Sequence, residues 1–328
     1  MNNETQMAFD ERIIPSIPSI NNPGMISAEE EKLYYYLACK YFDPQRLNLE
    51  IGTWLGRSTQ RICQGFQHRA SKDFKLYCYD SYQWSAFYAK RAKQQSQKYG
   101  YRLDPVKNLQ PNESFREAFL SYMGDFSPCI DAYAGKLGDI STVLENVLVG
   151  KPVGLVFIDA SKRWHENVNL IKFLANKLID GLQPSLILFQ DFFYFPAYEL
   201  IFLLSMIPQL QPIIYTQKSS SIVYKVTGKI DVKSPIFSYD FLDSLSQDEI
   251  YKAWENLNSY IPRYRIDLRA TNLALPLMLW DRNYQSAADQ EFAKVRLSEY
   301  QKSYVVSKIS EKSSLSKIKP LTKLLNEY

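Results

Sequence analysis

A glycine-containing turn follows one predicted strand and leads directly into a predicted helix. Residues 47–59 read Leu-Asn-Leu-Glu-Ile-Gly-Thr-Trp-Leu-Gly-Arg-Ser-Thr. Glycines let backbone N–H groups approach a bound ligand closely, and the N-terminus of a helix favours negative charge. The GxxxG spacing differs from the GxGxxG of dinucleotide sites. The segment predicts either a ligand-binding turn or an ordinary strand-to-helix connection. Its candidate ligand-binding residues are Glu50, Gly52, Thr53, Gly56 and Ser58.

Two further acidic residues follow predicted strands. Asp80 comes directly after the segment 75–79, and Asp139 follows Gly138 after the next strand. An acidic side chain at the carboxyl end of a strand can accept both hydroxyl groups of a ribose, and parallel sheets bind ligands at this edge. We therefore expect Asp80 to bind a ribose and Asp139 to lie in a loop that contacts adenine. Alternatively, either residue caps a helix or stabilises a turn.

A possible catalytic segment reads Phe-Ile-Asp-Ala-Ser-Lys at residues 157–162. Asp159 ends a predicted strand, so its carboxylate is expected to face the reacting centre and to be a cofactor-binding residue. A lysine beside a bound cation or a metal has a lowered pKa and can act as a general base on a hydroxyl group. Lys162 is a candidate for that role, or else an ordinary surface lysine. His165 is a further candidate base, and neither an HExxH nor a GxSxG pattern occurs.

Gln190 and Asp191 follow Phe189 at the end of the next predicted strand. Together with Asp159 they offer three oxygen ligands, a set that a hard cation such as Mg²⁺ can accept. Asp191 is also a third candidate base. Alternatively, Asp191 caps the helix that is expected to begin near Pro196.

Short apolar segments alternate with helical patterns through residues 45–229. The predicted strands are Leu47–Ile51, Phe74–Tyr79, Cys129–Ala134, Gly154–Ile158, Ser185–Phe189, Pro212–Thr216 and Ser221–Val226. Strand–helix–strand alternation predicts a parallel sheet with right-handed crossovers. The last two segments predict a hairpin at the edge of that sheet.

Three regions lie outside this alternation. Residues 1–44 begin with a proline-containing arm, expected to lie on the surface, and continue into a helix opened by a capping box of Ser27 and Glu30. Residues 81–127 form an insertion rich in aromatic residues, with two predicted helices. Residues 230–328 are predicted to be mostly helical, and to pack on the core or form an oligomer contact.

The glycine turn resembles the first S-adenosylmethionine (SAM) binding motif of class I methyltransferases. The closest likeness is to small-molecule O-methyltransferases of the catechol and caffeoyl-CoA type and to macrocin-type sugar O-methyltransferases. Residues 157–162 resemble the F-[IV]-D-A-x-K segment of this group. The resemblance covers residues 45–227. It implies a Rossmann-like, doubly wound, seven-stranded α/β sheet whose last strand is antiparallel.

The resemblance also implies roles for individual residues. Asp80 matches the acid that binds the ribose of SAM, Asp159 the ligand of a divalent metal, and Lys162 the catalytic base. The family has Asp-Asn or Asp-Asp as its second metal motif, whereas this chain has the neutral Gln190 before Asp191. The aromatic insertion would correspond to a lid that binds the methyl acceptor.

The expected activity is methyl transfer from SAM to a hydroxyl group of a small molecule, such as a sugar or a secondary metabolite, in natural product biosynthesis. One alternative is a tailoring enzyme of hydroxylase-like type that uses the same fold. A second alternative is a non-catalytic SAM-binding or scaffold protein, which the neutral Gln190 favours.

The composition limits the other classes of function. The formal charge is +4, with 39 basic and 35 acidic residues, which argues against a nucleic-acid partner. The apolar run near 200–207 is far shorter than the roughly 20 residues of a membrane span, and residues 1–12 lack a signal-peptide core. The four cysteines form no CxxC pair and suit a reducing cytosol. We therefore expect a cytoplasmic protein with no membrane partner, and a possible homo-oligomer through the C-terminal helices.

Overall fold

The computed structural model describes residues 7–14, 16–70, 73–261, 271–311, 318 and 321. The chain divides into two compact units. The first unit consists of residues 1–161, 169–190 and 211–230, and the second of residues 162–168, 191–210 and 231–328.

The first unit is built on an eight-stranded sheet. Its strands are β1 (Met7–Ala8), β2 (Leu47–Ile51), β3 (Leu76–Asp80), β4 (Ile130–Ala134), β5 (Val153–Ile158), β6 (Leu186–Phe189), β7 (Leu210–Tyr215) and β8 (Ile222–Val226). The spatial order is β1-β7-β8-β6-β5-β2-β3-β4. Strand β2 pairs in parallel with β3 and with β5, whereas β8 runs antiparallel to β6. The strand order therefore reverses beside β2, where doubly wound sheets bind their ligands.

The predicted doubly wound sheet with an antiparallel strand is confirmed. Each of the seven predicted strands overlaps an observed strand. The hairpin was expected at the edge, but β1 pairs in parallel with β7 and covers that edge. Two residues carry too little periodicity for β1 to be visible in the sequence.

The helices lie around the sheet and in the second unit. They are α1 (Ala28–Tyr41), α2 (Arg57–Ala70), α3 (Ala86–Tyr99), α4 (Arg116–Met123), α5 (Ile140–Leu144), α6 (Trp164–Ala175), α7 (Tyr198–Ser205), α8 (Phe241–Ser244), α9 (Gln247–Tyr260), α10 (Ala274–Asp281), α11 (Gln285–Lys294) and α12 (Glu299–Glu311). Helices α1 to α5 belong to the first unit and α7 to α12 to the second. Among the helices within these described ranges, none is long and apolar enough to cross a bilayer.

Helix α1 carries three consecutive buried glutamates, and each has its own partners. Glu29 accepts hydrogen bonds from backbone N–H groups of the β7–β8 connection. Glu30 completes the predicted capping box. Glu31 forms ion pairs with Arg57 and Arg61 of α2. Because a buried carboxylate needs such partners, these contacts hold α1 against both the sheet and α2.

The described residues of the N-terminal arm include both exposed and buried side chains; Arg12, Ile13 and Pro18 are exposed. Phe9, Ile14, Ile20 and Asn22 are all buried. The arm follows the surface of α2 closely, since Arg57 donates a hydrogen bond of 2.9 Å to the Asn22 carbonyl oxygen. Apolar residues scattered among prolines show no periodicity, so the sequence pattern could not reveal their burial.

The insertion contains α3 and α4, close to the two predicted helices. Tyr82, Trp84, Phe115 and Phe119 are buried, and the ring centroids of Tyr82 and Phe115 lie 5.4 Å apart. These aromatic side chains belong to the same hydrophobic cluster as Leu55 and Phe66 beside the sheet. Phe87 of the insertion is exposed, and a lid that binds the acceptor stays a prediction.

Candidate functional site

Both glycines of the predicted ligand-binding turn are required by their geometry. Gly52 has φ +87°, and a Cβ atom there would lie 2.3 Å from the carbonyl oxygen of Asp159, just after β5. Gly56 has φ +79°, and its Cβ would lie 2.0 Å from Cε of Met123 in α4. Any side chain would therefore meet both steric overlap and an unfavourable φ angle. The turn lies closely against the end of β5 and against the insertion.

Asp80 connects the turn after β2 to the loop after β3. Its Oδ2 accepts hydrogen bonds from the N–H groups of Thr53, at 2.8 Å, and Trp54, at 3.0 Å. Its Oδ1 accepts the N–H of Tyr82 at 3.0 Å and has a longer contact of 3.3 Å with Ser81 Oγ. Asp80 therefore stabilises this turn, which is one of the two roles that the sequence predicted for it. A ribose hydroxyl could take the place of the weak Ser81 contact, so ribose binding fits this carboxylate as well.

The two aromatic residues beside Asp80 have strained backbones. Trp54 has φ 40° and Tyr82 has φ 49°, in the left-handed region that side chains disfavour. The hydrogen bonds to Asp80 hold both residues in place, and Thr53 Oγ1 donates to Tyr82 Oη at 3.3 Å. Strained residues held in this way are concentrated at binding and active sites. The motif analysis did not single out either residue.

Glu50 and Ser58, both expected to contact a ligand, contact each other. Ser58 Oγ donates a 2.5 Å hydrogen bond to Glu50 Oε1, and Glu50 is only 2% exposed. The thiol of Cys78 on β3 lies 3.9 Å from Glu50 Oε2. Glu50 therefore joins β2 to the first turn of α2 and to β3. Ligand contact by its side chain stays a prediction.

The environment of Glu50 changes its acidity. Burial raises the pKa of Glu50 from 4.5 to about 7, and the negative charge of Asp80 acts in the same direction. The hydrogen bond from Ser58 opposes the shift. The folded protein therefore holds this proton more tightly than the unfolded chain does. The resulting stabilisation is complete below pH 4.5 and is lost as the pH rises through about 7.

We expect Glu50→Gln to remove this pH dependence. A shift from 4.5 to about 7 corresponds to about 3 kcal/mol of unfolding free energy, because one pKa unit is worth about 1.4 kcal/mol. Urea unfolding at pH 5 and pH 8 measures the difference for each protein. The unaltered protein should lose stability between these values, whereas the glutamine variant should lose much less. Parallel pH profiles for the two proteins would show that Glu50 does not cause the dependence.

In the second unit, Lys162 and Asp191 form an ion pair. Their side chains are 28% and 24% exposed, so solvent screens the pair only in part. Lys162 is partly buried, and its role as a base stays a prediction. The short 3₁₀ helix Phe195–Ala197 has Tyr194 as its N-cap, so Asp191 does not cap it. The structure thus brings together two of the three predicted bases.

Glu199, which the sequence analysis did not identify, holds the chain directly after Lys162. This glutamate of α7 is buried, and its Oε2 accepts the N–H of Trp164 at 2.6 Å. Its Oε1 accepts a hydrogen bond of 2.9 Å from Arg163, which raises the pKa of Arg163. Glu199 therefore fixes the start of α6. His165, the other predicted base, is exposed on the same helix.

The predicted metal ligands have other partners in the structure. Gln190 is buried in the first unit, and its neutral Oε1 accepts a 3.0 Å hydrogen bond from Tyr34 Oη. Asp191 is paired with Lys162. Within the described part of the chain, no group of three or more His, Cys, Asp or Glu side chains could hold a metal. Gln190 thus stabilises the core, and the predicted Mg²⁺ site of Asp159, Gln190 and Asp191 is not supported.

Asp139 lies exposed in the connection between β4 and α5. It occupies the N-cap position of α5, but its side chain makes no capping hydrogen bond. The Asp139 side chain therefore does not cap α5 by a hydrogen bond. Contact with adenine stays a prediction for this residue.

Part of this chain, including the glycine turn, matches a known sequence family. Residues 49–192 match a family described as "Methyltransferase domain". This match confirms the resemblance to SAM-dependent class I methyltransferases that the sequence motifs indicated. A search of curated proteins gave no match.

Several solved structures are similar to this chain. An O-methyltransferase from Bacillus cereus, in complex with S-adenosylhomocysteine (SAH), is 15% identical, with 62% of this chain and 82% of that chain covered and a TM-score of 0.39. The O-methyltransferase NovP is 13% identical, with the same shares covered and a TM-score of 0.39. The SAH-bound methyltransferase PaMTH1 from Podospora anserina is 14% identical, with 62% and 80% covered and a TM-score of 0.37.

Proposed function

We propose, from the premise that residues 49–192 form a SAM-dependent methyltransferase domain, that this protein methylates a hydroxyl group of a small molecule. One observation carries the proposal: a glycine turn, organised by the Asp80 carboxylate, lies where the strand order reverses. Sheets of this kind bind nucleotide-like ligands at that point. An acceptor such as a sugar or a secondary metabolite agrees with the motif resemblance.

The residues of the first unit fit the cofactor. The turn at 52–56 offers backbone groups at the N-terminus of α2. Asp80 Oδ1 accepts the Tyr82 N–H and has a weak 3.3 Å contact with Ser81, which a ribose hydroxyl can replace. In this proposal Asp80 binds the ribose and the loop at Asp139 contacts the adenine. When bound, SAM supplies an electrophilic methyl group.

The Lys162–Asp191 ion pair contains groups that can receive a proton. The acceptor oxygen forms a bond to the methyl carbon while the bond from carbon to sulfur breaks, which gives a methyl ether, SAH and one proton. We assign that proton to the Lys162–Asp191 pair: Lys162 passes its ammonium proton to the Asp191 carboxylate, the amine so formed takes the proton of the hydroxyl group, and the pair later releases one proton to water. Catalysis otherwise consists of holding the acceptor oxygen in line with the methyl group.

The first test is calorimetric titration of the purified protein with SAM, with and without Mg²⁺. We expect SAM to bind with the same affinity in both conditions, because Gln190 and Asp191 are engaged with Tyr34 and Lys162. Methyl transfer from radiolabelled SAM to a set of hydroxyl-bearing small molecules then tests the reaction. If SAM does not bind in either condition, the protein is not a methyltransferase and a scaffold role takes its place.

A further inference from the structure

Helix α3 and its flanking residues carry basic side chains without acidic neighbours. The segment 81–103 contains no aspartate or glutamate, but it contains the basic residues Lys90, Arg91, Lys93, Lys98 and Arg102. The whole chain, in contrast, has 39 basic and 35 acidic residues, so the two signs are nearly balanced. The segment is therefore a local excess of positive charge.

Four of these side chains share the outer half of α3, and together they are named the basic face. At about 3.6 residues per turn, they lie on the half of the helix that points away from Ala92, the one buried residue of this fully described helix. Lys90, Lys93 and Lys98 are exposed, and Arg91 is half-buried. Within the described part of the chain, none of the three lysines forms an ion pair with a carboxylate.

The basic face does not stabilise the helix on which it lies. Like charges three or four positions apart repel each other on a helix surface, and Lys90 and Lys93 have this spacing. The first turn of α3 has no acidic residue, so the positive end of the helix dipole adds to the same charge. Binding of an acidic partner would remove this repulsion, and the local positive potential would attract such a partner.

The inner side of α3 is fixed beside the glycine turn. The ring centroids of Tyr88 and Trp54 lie 5.8 Å apart. The side-chain amide of Gln95 bonds to the N–H and the carbonyl oxygen of Gly24, at 2.8 and 2.6 Å. Ser85 caps the helix by accepting the N–H of Tyr88 at 3.2 Å. These contacts hold the basic face toward solvent in a defined position.

We propose that the basic face of α3 docks an acidic helix of a partner protein. The face extends from residue 90 to residue 98, which is about 12 Å along the axis at about 1.5 Å per residue. That length exceeds a single carboxylate or phosphate and matches about two turns of a second helix. Phe87 and Tyr99, at the two ends of the face, are 49% and 55% exposed. Aromatic side chains and arginine are enriched at protein interfaces.

Two other classes of partner fit the basic face less well. A helix that binds a membrane surface buries a continuous apolar side in the lipid, whereas the inner side of α3 packs on the protein and leaves only Phe87 and Tyr99 as exposed large apolar residues. Nucleic-acid binders usually have a strongly basic domain, and this chain has a formal charge of only +4. The docking does not depend on methyl transfer, so either proposal can fail without the other.

The test is titration of the purified full chain with fluorescent peptides at low salt, read by anisotropy. The first peptide is helical and has its glutamates along one side, three and four positions apart. The second has the same composition, but its glutamates are spread around the helix. A short single-stranded DNA and vesicles that contain phosphatidylserine are the competing ligands.

Two variants lose the same amount of charge at different places. The first combines Lys90→Gln, Lys93→Gln and Lys98→Gln, because glutamine is a good helix former and removes only the charge. The matched control replaces three exposed lysines outside α3 by glutamine, which are Lys229, Lys233 and Lys252. Circular dichroism shows whether each variant is folded.

We expect the first peptide to bind the unaltered protein and the control alike. The α3 variant should bind it about tenfold more weakly or worse, because each of three exposed ion pairs contributes up to about fivefold. The second peptide should bind the unaltered protein more weakly than the first. Added salt should weaken the binding of both peptides.

Four results would overturn the inference. One is that the first peptide does not bind the unaltered protein, and another is that it binds the α3 variant equally well. Equal losses in the α3 variant and the control would show that only the net charge matters. Tighter binding of the DNA or the vesicles than of the first peptide, lost in the α3 variant, would assign the basic face to that other class of partner.

Discussion

Replacing Asp80 by alanine is expected to weaken SAM binding by at least about 100-fold and to lower the free energy of unfolding by about 3–5 kcal/mol. The change removes the acceptor of three backbone N–H groups, those of Thr53, Trp54 and Tyr82. The two strained residues among them would then relax, and the glycine turn would lose its shape. Calorimetric titration with SAM and urea unfolding measure the two effects.

Two variants separate the role of the carboxylate from that of its surroundings. Ser81→Ala removes only the 3.3 Å contact and should change SAM affinity and stability little. Asp80→Asn keeps one oxygen for Thr53 and Trp54 but turns an amide group toward the Tyr82 N–H, so we expect an intermediate loss. If the alanine variant bound SAM like the unaltered protein, Asp80 would have no part in the cofactor site.

Replacing Lys162 by methionine should lower the rate of methyl transfer by about 10²- to 10⁴-fold, the range attributed to a general base, and leave SAM affinity unchanged. Methionine keeps the length of the side chain and removes the amine that pairs with Asp191. Single-turnover transfer from radiolabelled SAM gives the rate for an acceptor that the unaltered protein methylates. An equal loss of rate and SAM affinity would contradict the assignment.

Lys162→Arg tests whether the lysine acts by proton transfer or by its charge. Arginine can keep the ion pair with Asp191, but its guanidinium group does not release a proton at neutral pH. The arginine variant should therefore be as slow as the methionine variant. Near-normal activity would mean that Lys162 only supplies positive charge. His165→Ala is the control, since His165 is exposed on α6 and should tolerate the change.

The sequence predicted the sheet because its strands and turns carry local signals. Apolar segments mark each strand at the centre of the sheet, and Gly52 has a positive φ angle that glycine adopts readily. Asp80 could be recognised by its place at the end of β3. These features depend on residues close together in the chain, so a pattern in the sequence is enough to reveal them.

The contacts that the sequence could not predict join distant parts of the chain. Asn22 reaches Leu55 across 33 positions, and Gln190 meets Tyr34 across 156. Glu199 lies within an apolar helix, where nothing local indicates that it holds the start of α6. The type of such a residue does not reveal its partner, because only the folded chain brings the two together. Gln190 was therefore given a metal-binding role, whereas it stabilises the core.

The short strand β1 has a consequence for anyone who shortens or tags this chain. Met7 and Ala8 pair with Ile214 and Tyr215, and the N–H of Phe9 adds a 2.8 Å hydrogen bond to the Tyr215 carbonyl oxygen. Without these residues, β7 would present a row of unpaired backbone groups, which is a template for aggregation. We therefore expect a shortened protein that begins at the glycine turn to aggregate more readily than the full chain, although it keeps the turn. An affinity tag is better placed where it does not compete with β1 for this edge.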